Sequence, residues 1–238
     1  MIQPDGRVIL ISGANRGIGL SVAKHLSLRG YCLSLGARNL DKLVKATADF
    51  PEERTALFEY DAGNKGDDVN WVSGTVKSFL KIDGLINNAG IAKPEFTLDL
   101  EDEAKLDKMI DINLKGPLRL IRNAMPYLKK SGQGRVINVS SLSGKRVRNS
   151  NVGYSMTKFG LVALTHSVRQ EGWKYGIRAT ALCPSFVKTD LTTDVKKVSP
   201  DEMIQPGDLA ELIDTILSLP NTASIAELLV NCRLEDTL

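Results

Sequence analysis

The chain has 238 residues, 42% of them apolar and 25% charged, with 31 Lys and Arg against 28 Asp and Glu for a formal net charge of +3. A chain of this length can bury roughly 70–75% of its unfolded surface, so a core forms without disulfides or metals, and the apolar share excludes disorder as the default. The small, dispersed basic excess excludes a dedicated nucleic-acid or membrane-surface footprint. The cysteines, Cys32, Cys183 and Cys232, are an odd, widely spaced set inside apolar runs. They read as reduced packing residues rather than a disulfide or zinc framework. No apolar run approaches the roughly 20 residues that span a bilayer, and the N-terminus lacks the apolar segment of a secretory leader, so the expected location is the cytoplasm.

In chain order, strands are expected at Val8–Ser12, Cys32–Ala37, Ala56–Tyr60, Gly84–Asn87, Arg135–Ser140, Arg178–Cys183 and Glu227–Asn231. Helical stretches fall between them, near 17–29, 39–49, 65–80, 102–130, 154–174 and 207–219. The strands are near-continuous apolar runs, as parallel strands covered on both faces require. Strand then helix, repeated to the end without a linker, a repeat or a low-complexity tract, predicts one doubly wound α/β domain over residues 1–238 with a mostly parallel seven-stranded sheet.

The first strand runs directly into Ser12-Gly13-Ala14-Asn15-Arg16-Gly17-Ile18-Gly19 and then a helix. Glycines at 13, 17 and 19 allow a tight turn and let a pyrophosphate approach the backbone at a helix N-terminus. The alternative is a glycine-rich turn that binds nothing. The second strand ends at Ala37-Arg38, where an acidic residue would hold the ribose hydroxyls of NAD and repel a 2′-phosphate. A guanidinium there, with Arg16 in the glycine loop, offers bidentate recognition of that phosphate; otherwise both arginines are solvated surface. Asn87-Asn88-Ala89-Gly90 closes the fourth strand and Ser140-Ser141 the fifth. Tyr154 and Lys158 lie four apart, hence one turn apart on one helical face, thirteen residues beyond Ser141. A lysine ammonium there is expected to lower the phenol pKa and make Tyr154 a usable proton donor and acceptor.

The glycine loop, Asn87-Asn88-Ala89-Gly90, Ser141 and Tyr154-x-x-x-Lys158 stand in an order and spacing that resembles the short-chain dehydrogenase/reductase family, over Val8 to Asn231. The resemblance implies a Rossmann-type sheet with helices on both faces, a nicotinamide dinucleotide and a carbonyl or secondary alcohol substrate. It implies Tyr154 as general acid, Ser141 as holder of the substrate oxygen, Lys158 as ligand of the nicotinamide ribose, and Asn113 as holder of a water in a proton relay. Cofactor contacts are implied for Gly13, Asn15, Arg16, Gly17, Ile18, Gly19, Arg38, Asn88, Ala89 and Gly90, together with Tyr154 and Lys158. Asp61 matches the adenine-contacting position, and Pro184, Val187 and Thr189 match the segment at the nicotinamide carboxamide. Ser12 stands for the family's usual threonine, Ser185 for its glycine after Pro184, and the substrate loop at about 190–206 is short and polar.

The residues together predict an NADPH-dependent oxidoreductase moving a hydride between nicotinamide and a carbonyl or alcohol, with no metal. A 3-oxoacyl thioester is one alternative substrate, and a non-catalytic dinucleotide-binding regulator on the same fold is the competing class. Leu106, Ile110, Leu114, Leu118, Ile121, Met125 and Leu128 recur at 3–4 spacing as a core or subunit-facing stripe, and the family resemblance implies a homodimer or homotetramer. Pro117 has no N–H for the Asn113 carbonyl, which predicts a kink that frees this carbonyl to hold a water close to Lys158, or else an ordinary proline kink without catalytic meaning. Lys145, Arg146 and Arg148 are expected at the cleft rim, where they would steer an anionic substrate, meet an acidic carrier protein, or merely be solvated. His25 and His166 have no ligand-spaced partners and read as neither metal ligands nor catalytic bases. Trp71 and Trp173 read as packing or interface residues.

Overall fold

A computed structural model describes residues 1–99 and 102–234. Seven strands form one parallel sheet in the order β3-β2-β1-β4-β5-β6-β7. They are β1 (Val8–Ser12), β2 (Cys32–Ala37), β3 (Thr55–Glu59), β4 (Gly84–Asn87), β5 (Arg135–Val139), β6 (Arg178–Pro184) and β7 (Glu227–Val230). The helices are α1 (Gly17–Leu28), α2 (Leu40–Ala46), α3 (Asp67–Phe79), α4 (Glu103–Ile110), α5 (Gly116–Ser131), α6 (Val152–Gly172) and α7 (Pro206–Ser218).

Strand residues divide between the two faces with period two. Ile9, Ile11, Ile86 and Ile137 pack with Val22, Leu26, Leu209 and Ile213 of α1 and α7. Val8, Leu10, Leu85 and Val136 pack with Trp71 of α3, Leu120 and Leu128 of α5, and Val168 of α6. This is why the central strands read as unbroken apolar runs. The chain turns back at the β1–β4 boundary, so a crevice opens above the carboxyl ends of those strands, as doubly wound sheets provide at their switch point.

Two helical expectations change. The stretch 102–130 is three pieces, because residues Asp111–Lys115 form a π turn in which the Gly116 N–H donates to the Asp111 carbonyl. It lies directly before Pro117, whose missing N–H prevents the ordinary ladder. The buried face is Met109, Ile112, Leu120, Ile121, Ala124 and Leu128, whereas Leu118 of the expected stripe is exposed and Leu106, Ile110, Leu114 and Met125 are half-buried. Of the expected stripe only Ile121 and Leu128 are buried. The second change is at α6, which begins at Val152 because Asn151 caps it, accepting from the Tyr154 N–H at 3.2 Å.

Candidate active site

The glycine loop is built by close contacts that leave no room for side chains. A Cβ on Gly19 would lie 2.3 Å from the Gly13 carbonyl oxygen, and one on Gly13, whose φ is +68°, would meet the Asn88 amide at 3.0 Å. Ser12 does the work of the family's threonine. Its hydroxyl accepts from the N–H groups of Asn88 and Ala89 at 2.9 and 3.0 Å, while Asn88 Nδ2 donates to the Ser12 carbonyl at 2.9 Å. These bonds lock the Asn88-Ala89-Gly90 segment against the glycine loop across the crevice.

The resulting cleft has a volume of about 530 Å³. Gly13, Asn15, Arg16, Gly17, Ile18, Arg38, Asp61, Asn88, Ala89, Gly90, Ser141, Tyr154, Lys158, Pro184, Val187 and Thr189 all line it. Gly19 lies beneath the wall and Asn113 behind it. Helix α1 opens on the cleft with no side-chain cap and no acidic residue in its first turn, so its first N–H groups and its positive dipole end are available to an anion. Arg16, Arg38 and Lys42 line the same cleft. An uncapped helix start, a loop closed to side chains and three flanking cations fit the phosphates of a dinucleotide. Lys42 went unnoticed in the sequence, although its spacing from Arg38 held the signal. Asn39 caps α2 by accepting from the Lys42 N–H at 2.7 Å, and Arg38, Asn39 and Lys42 all line the cleft. Tyr60 and Asp190 are further wall residues without a sequence signal. Asp190 takes Arg16 in an ion pair at 2.5 Å.

At the opposite end, Ser141 follows β5 and caps a short 3₁₀ turn, Leu142–Gly144, its hydroxyl accepting from the Ser143 N–H at 3.1 Å. Tyr154 lines the same part of the cleft. Lys158 is buried and donates to the Val139 carbonyl at 2.9 Å, with its ammonium 5.6 Å from the Tyr154 ring centroid. Burial pulls the Lys158 pKa down to about 8. Burial pushes the Tyr154 phenol up, and the Ser141 side chain offsets part of that. The Lys158 ammonium is held by a backbone carbonyl beside the Tyr154 ring, and burial is the largest influence on the phenol. Asn113 clasps the backbone of Ile91, accepting from its N–H and donating to its carbonyl, both at 2.8 Å, and reaches Thr157 Oγ1 at 3.2 Å. It thereby ties the segment after β4 to α6.

Of the basic run expected at the cleft rim, Lys145 is turned away from it. Lys145 points to the sheet edge and pairs with Glu227 at 2.6 Å, and Arg146 and Arg148 are engaged as well. Among the described residues no group of three or more His, Cys, Asp and Glu is placed to hold a metal, and no helix is long and apolar enough to cross a membrane. His25 bonds Asp214 at 3.2 Å and His166 bonds Glu227 at 2.7 Å. Trp71 is fully buried, while half-exposed Trp173 lies under Arg178 at 3.6 Å.

A parallel Rossmann-type sheet with a glycine loop at its switch point and a Ser-Tyr-Lys group beside it defines a dinucleotide-fold oxidoreductase architecture. Residues 7–199 match the model of the short chain dehydrogenase family, and the chain belongs to that family. An agropine synthesis reductase of Rhizobium rhizogenes is 40% identical over 231 residues, 96% of this chain and 53% of that protein. This chain thus spans about half the length of that relative. An uncharacterized oxidoreductase of Staphylococcus saprophyticus is 34% identical, covering 94% of this chain and 95% of its own. Among solved structures, 3-ketoacyl-(acyl-carrier-protein) reductase from Brucella melitensis, complexed with NADH, superposes with a TM-score of 0.87 at 25% identity, covering 95% of this chain and 96% of its own. An alcohol dehydrogenase from Thermococcus sibiricus, complexed with 5-hydroxy-NADP, gives 0.85 at 28%, covering 94% and 95%.

Proposed function

We propose that this chain is an NADPH-dependent carbonyl reductase, with oxidation of the corresponding alcohol as the reverse reaction. The observation that carries the reading is one cleft lined by Ser141, Tyr154 and Lys158 together with the glycine loop and the cations Arg16, Arg38 and Lys42. Bound in this cleft, the nicotinamide would supply the hydride. The chain's own residues supply position and protons. Ser141 donates to the substrate oxygen, and Tyr154 gives its phenolic proton to the same oxygen as negative charge develops there. A phenol held above its ordinary pKa stays protonated at neutral pH, as a general acid for reduction must. Lys158 holds the nicotinamide ribose and returns a proton to Tyr154 through a water carried near Asn113, where Pro117 leaves the helix without an N–H. Ala37 sets no carboxylate against a 2′-phosphate, and the cations at 16, 38 and 42 favour one.

The substrate is a small carbonyl compound. Similarity to the agropine synthesis reductases and to a 3-ketoacyl-(acyl-carrier-protein) reductase puts precursors of agropine and 3-oxoacyl thioesters beside simple aldehydes and diketones. Exposed Leu118 on α5 and Met156 and Phe159 on α6 support a homodimer or homotetramer. The test is NADPH oxidation, followed by absorbance, with a panel drawn from those classes. Turnover of any member with NADPH above NADH supports the reading. NADPH binding without turnover of any member would establish the non-catalytic regulator instead.

A further inference from the structure

Lys145, His166 and Glu227 come from three distant places in the chain and meet at the sheet edge. Lys145 Nζ lies 2.6 Å from Glu227 Oε2, and His166 Nε2 lies 2.7 Å from Glu227 Oε1, so one carboxylate is shared between two donors. Lys145 and Glu227 are only about one-fifth exposed, at 20% and 21%. Beneath them lies a small separate core of Val162, Ala181, Cys183 and Leu229. Hydrogen bonding from Lys145, helped by His166, holds the Glu227 carboxyl below the ordinary carboxylate range, so the link persists at neutral pH.

The two elements joined this way carry the catalytic groups. Lys145 ends the turn that starts at Ser141: the N–H of Gly144 donates to the Ser141 carbonyl, and the N–H of Lys145 to that of Leu142, both at 2.9 Å. Gly144 lies flat on α6, where a Cβ would come within 2.6 Å of the Lys158 carbonyl oxygen. His166 stands on α6 two turns beyond Lys158, with Val162 between them on the same face. We propose that Glu227 is a positioning residue: through Lys145 and His166 it clamps the turn bearing Ser141 onto the helix bearing Tyr154 and Lys158, and so sets the spacing of the two hydroxyls that meet the substrate oxygen. This rests on the oxidoreductase reading given above. A misplacement of about 1 Å costs up to about 100-fold in rate, so a turn loosened by less loses about 3- to 30-fold.

The test compares Glu227→Gln, Lys145→Met, their double variant, His166→Ala and Lys145→Arg in the full chain, by amide hydrogen exchange over residues 142–146 and by steady-state kinetics on the best carbonyl substrate. Expected are faster exchange at Gly144, Lys145 and Arg146 in Glu227→Gln and Lys145→Met, with the double variant no faster than either. His166→Ala moves the same way but less, its donor being the more exposed. In step with exchange, kcat falls while KM for NADPH stays put, and Lys145→Arg retains both protection and kcat. Unchanged exchange, additive losses in the double variant, or faster exchange with full kcat would each overturn the proposal. A wild-type chain that reduces no substrate removes the oxidoreductase reading and this proposal with it. A wild-type chain that turns over, with variants that exchange like it, removes this proposal alone.

Discussion

Arg16 and Asp190 form an ion pair across the cleft, from the glycine loop to the segment after β6, with side chains 58% and 67% exposed. The Asp190 carboxylate is a competitor for the guanidinium that a 2′-phosphate needs, and a negative charge on the cleft wall besides. Exposed pairs of this kind contribute about 0.2–1 kcal/mol, so freeing Arg16 is worth about 1.5- to 5-fold in affinity. Asp190→Asn is therefore expected to tighten NADPH by that factor relative to NADH, which lacks the phosphate. The measurement is titration of both cofactors by calorimetry, repeated in high salt, which screens exposed charges and should erase most of the gain. Arg16→Ala, tested beside it, should weaken NADPH more than NADH, and Asp190→Asn should give a smaller gain in that background, since only the competition for Arg16 is lost. Equal tightening of both cofactors, or a gain indifferent to salt, would refute competition between carboxylate and phosphate for Arg16.

Tyr154→Phe removes only the proton donor, so turnover should fall below about a hundredth while the NADPH dissociation constant moves by less than about twofold. Arg135 is fully buried at the amino end of β5 and donates to the carbonyls of Gly134, Gly176 and Leu219, with Arg7 and Arg178 nearby. Its loss orphans buried carbonyls, so Arg135→Met should lower Tm by about 5–10 °C in a calorimetric scan, with cofactor selectivity intact. Burial lowers the folded-state pKa of Lys158 to about 8 against an ordinary 10.5, so between those values the unfolded chain binds more protons than the folded one. The penalty for burying the charged form is complete below pH 8 and is relieved as pH rises. Denaturant titrations from pH 7 to 10 should thus show wild-type stability gaining with pH relative to Lys158→Met; a constant difference between the two would contradict the depressed pKa.

Most of the architecture was legible because parallel strands buried on both faces must be apolar throughout, and each is followed by a helix long enough to cross back. β1, β2 and β4 fall where the runs of Val, Ile and Leu put them. The site was legible for a related reason. Gly13, Gly19, Ser141, Tyr154 and Lys158 each serve a local geometry that few other residues satisfy, and fixed spacing carries them to one crevice. What a linear pattern does not carry is phase and pairing. The π turn at Asp111–Lys115 divides the expected helix, and no periodicity read along 102–130 registers an inserted residue. Lys145 looked like a rim cation because its run is basic. Only the packing of β7 beside β6 brought Glu227 within 2.6 Å of it. The phenol environment was likewise decided in three dimensions, since burial among the packed elements is the largest influence on Tyr154. Local backbone requirements and burial of whole strands are encoded residue by residue in sequence; the partner of a charge depends on which distant element the closed sheet sets beside it.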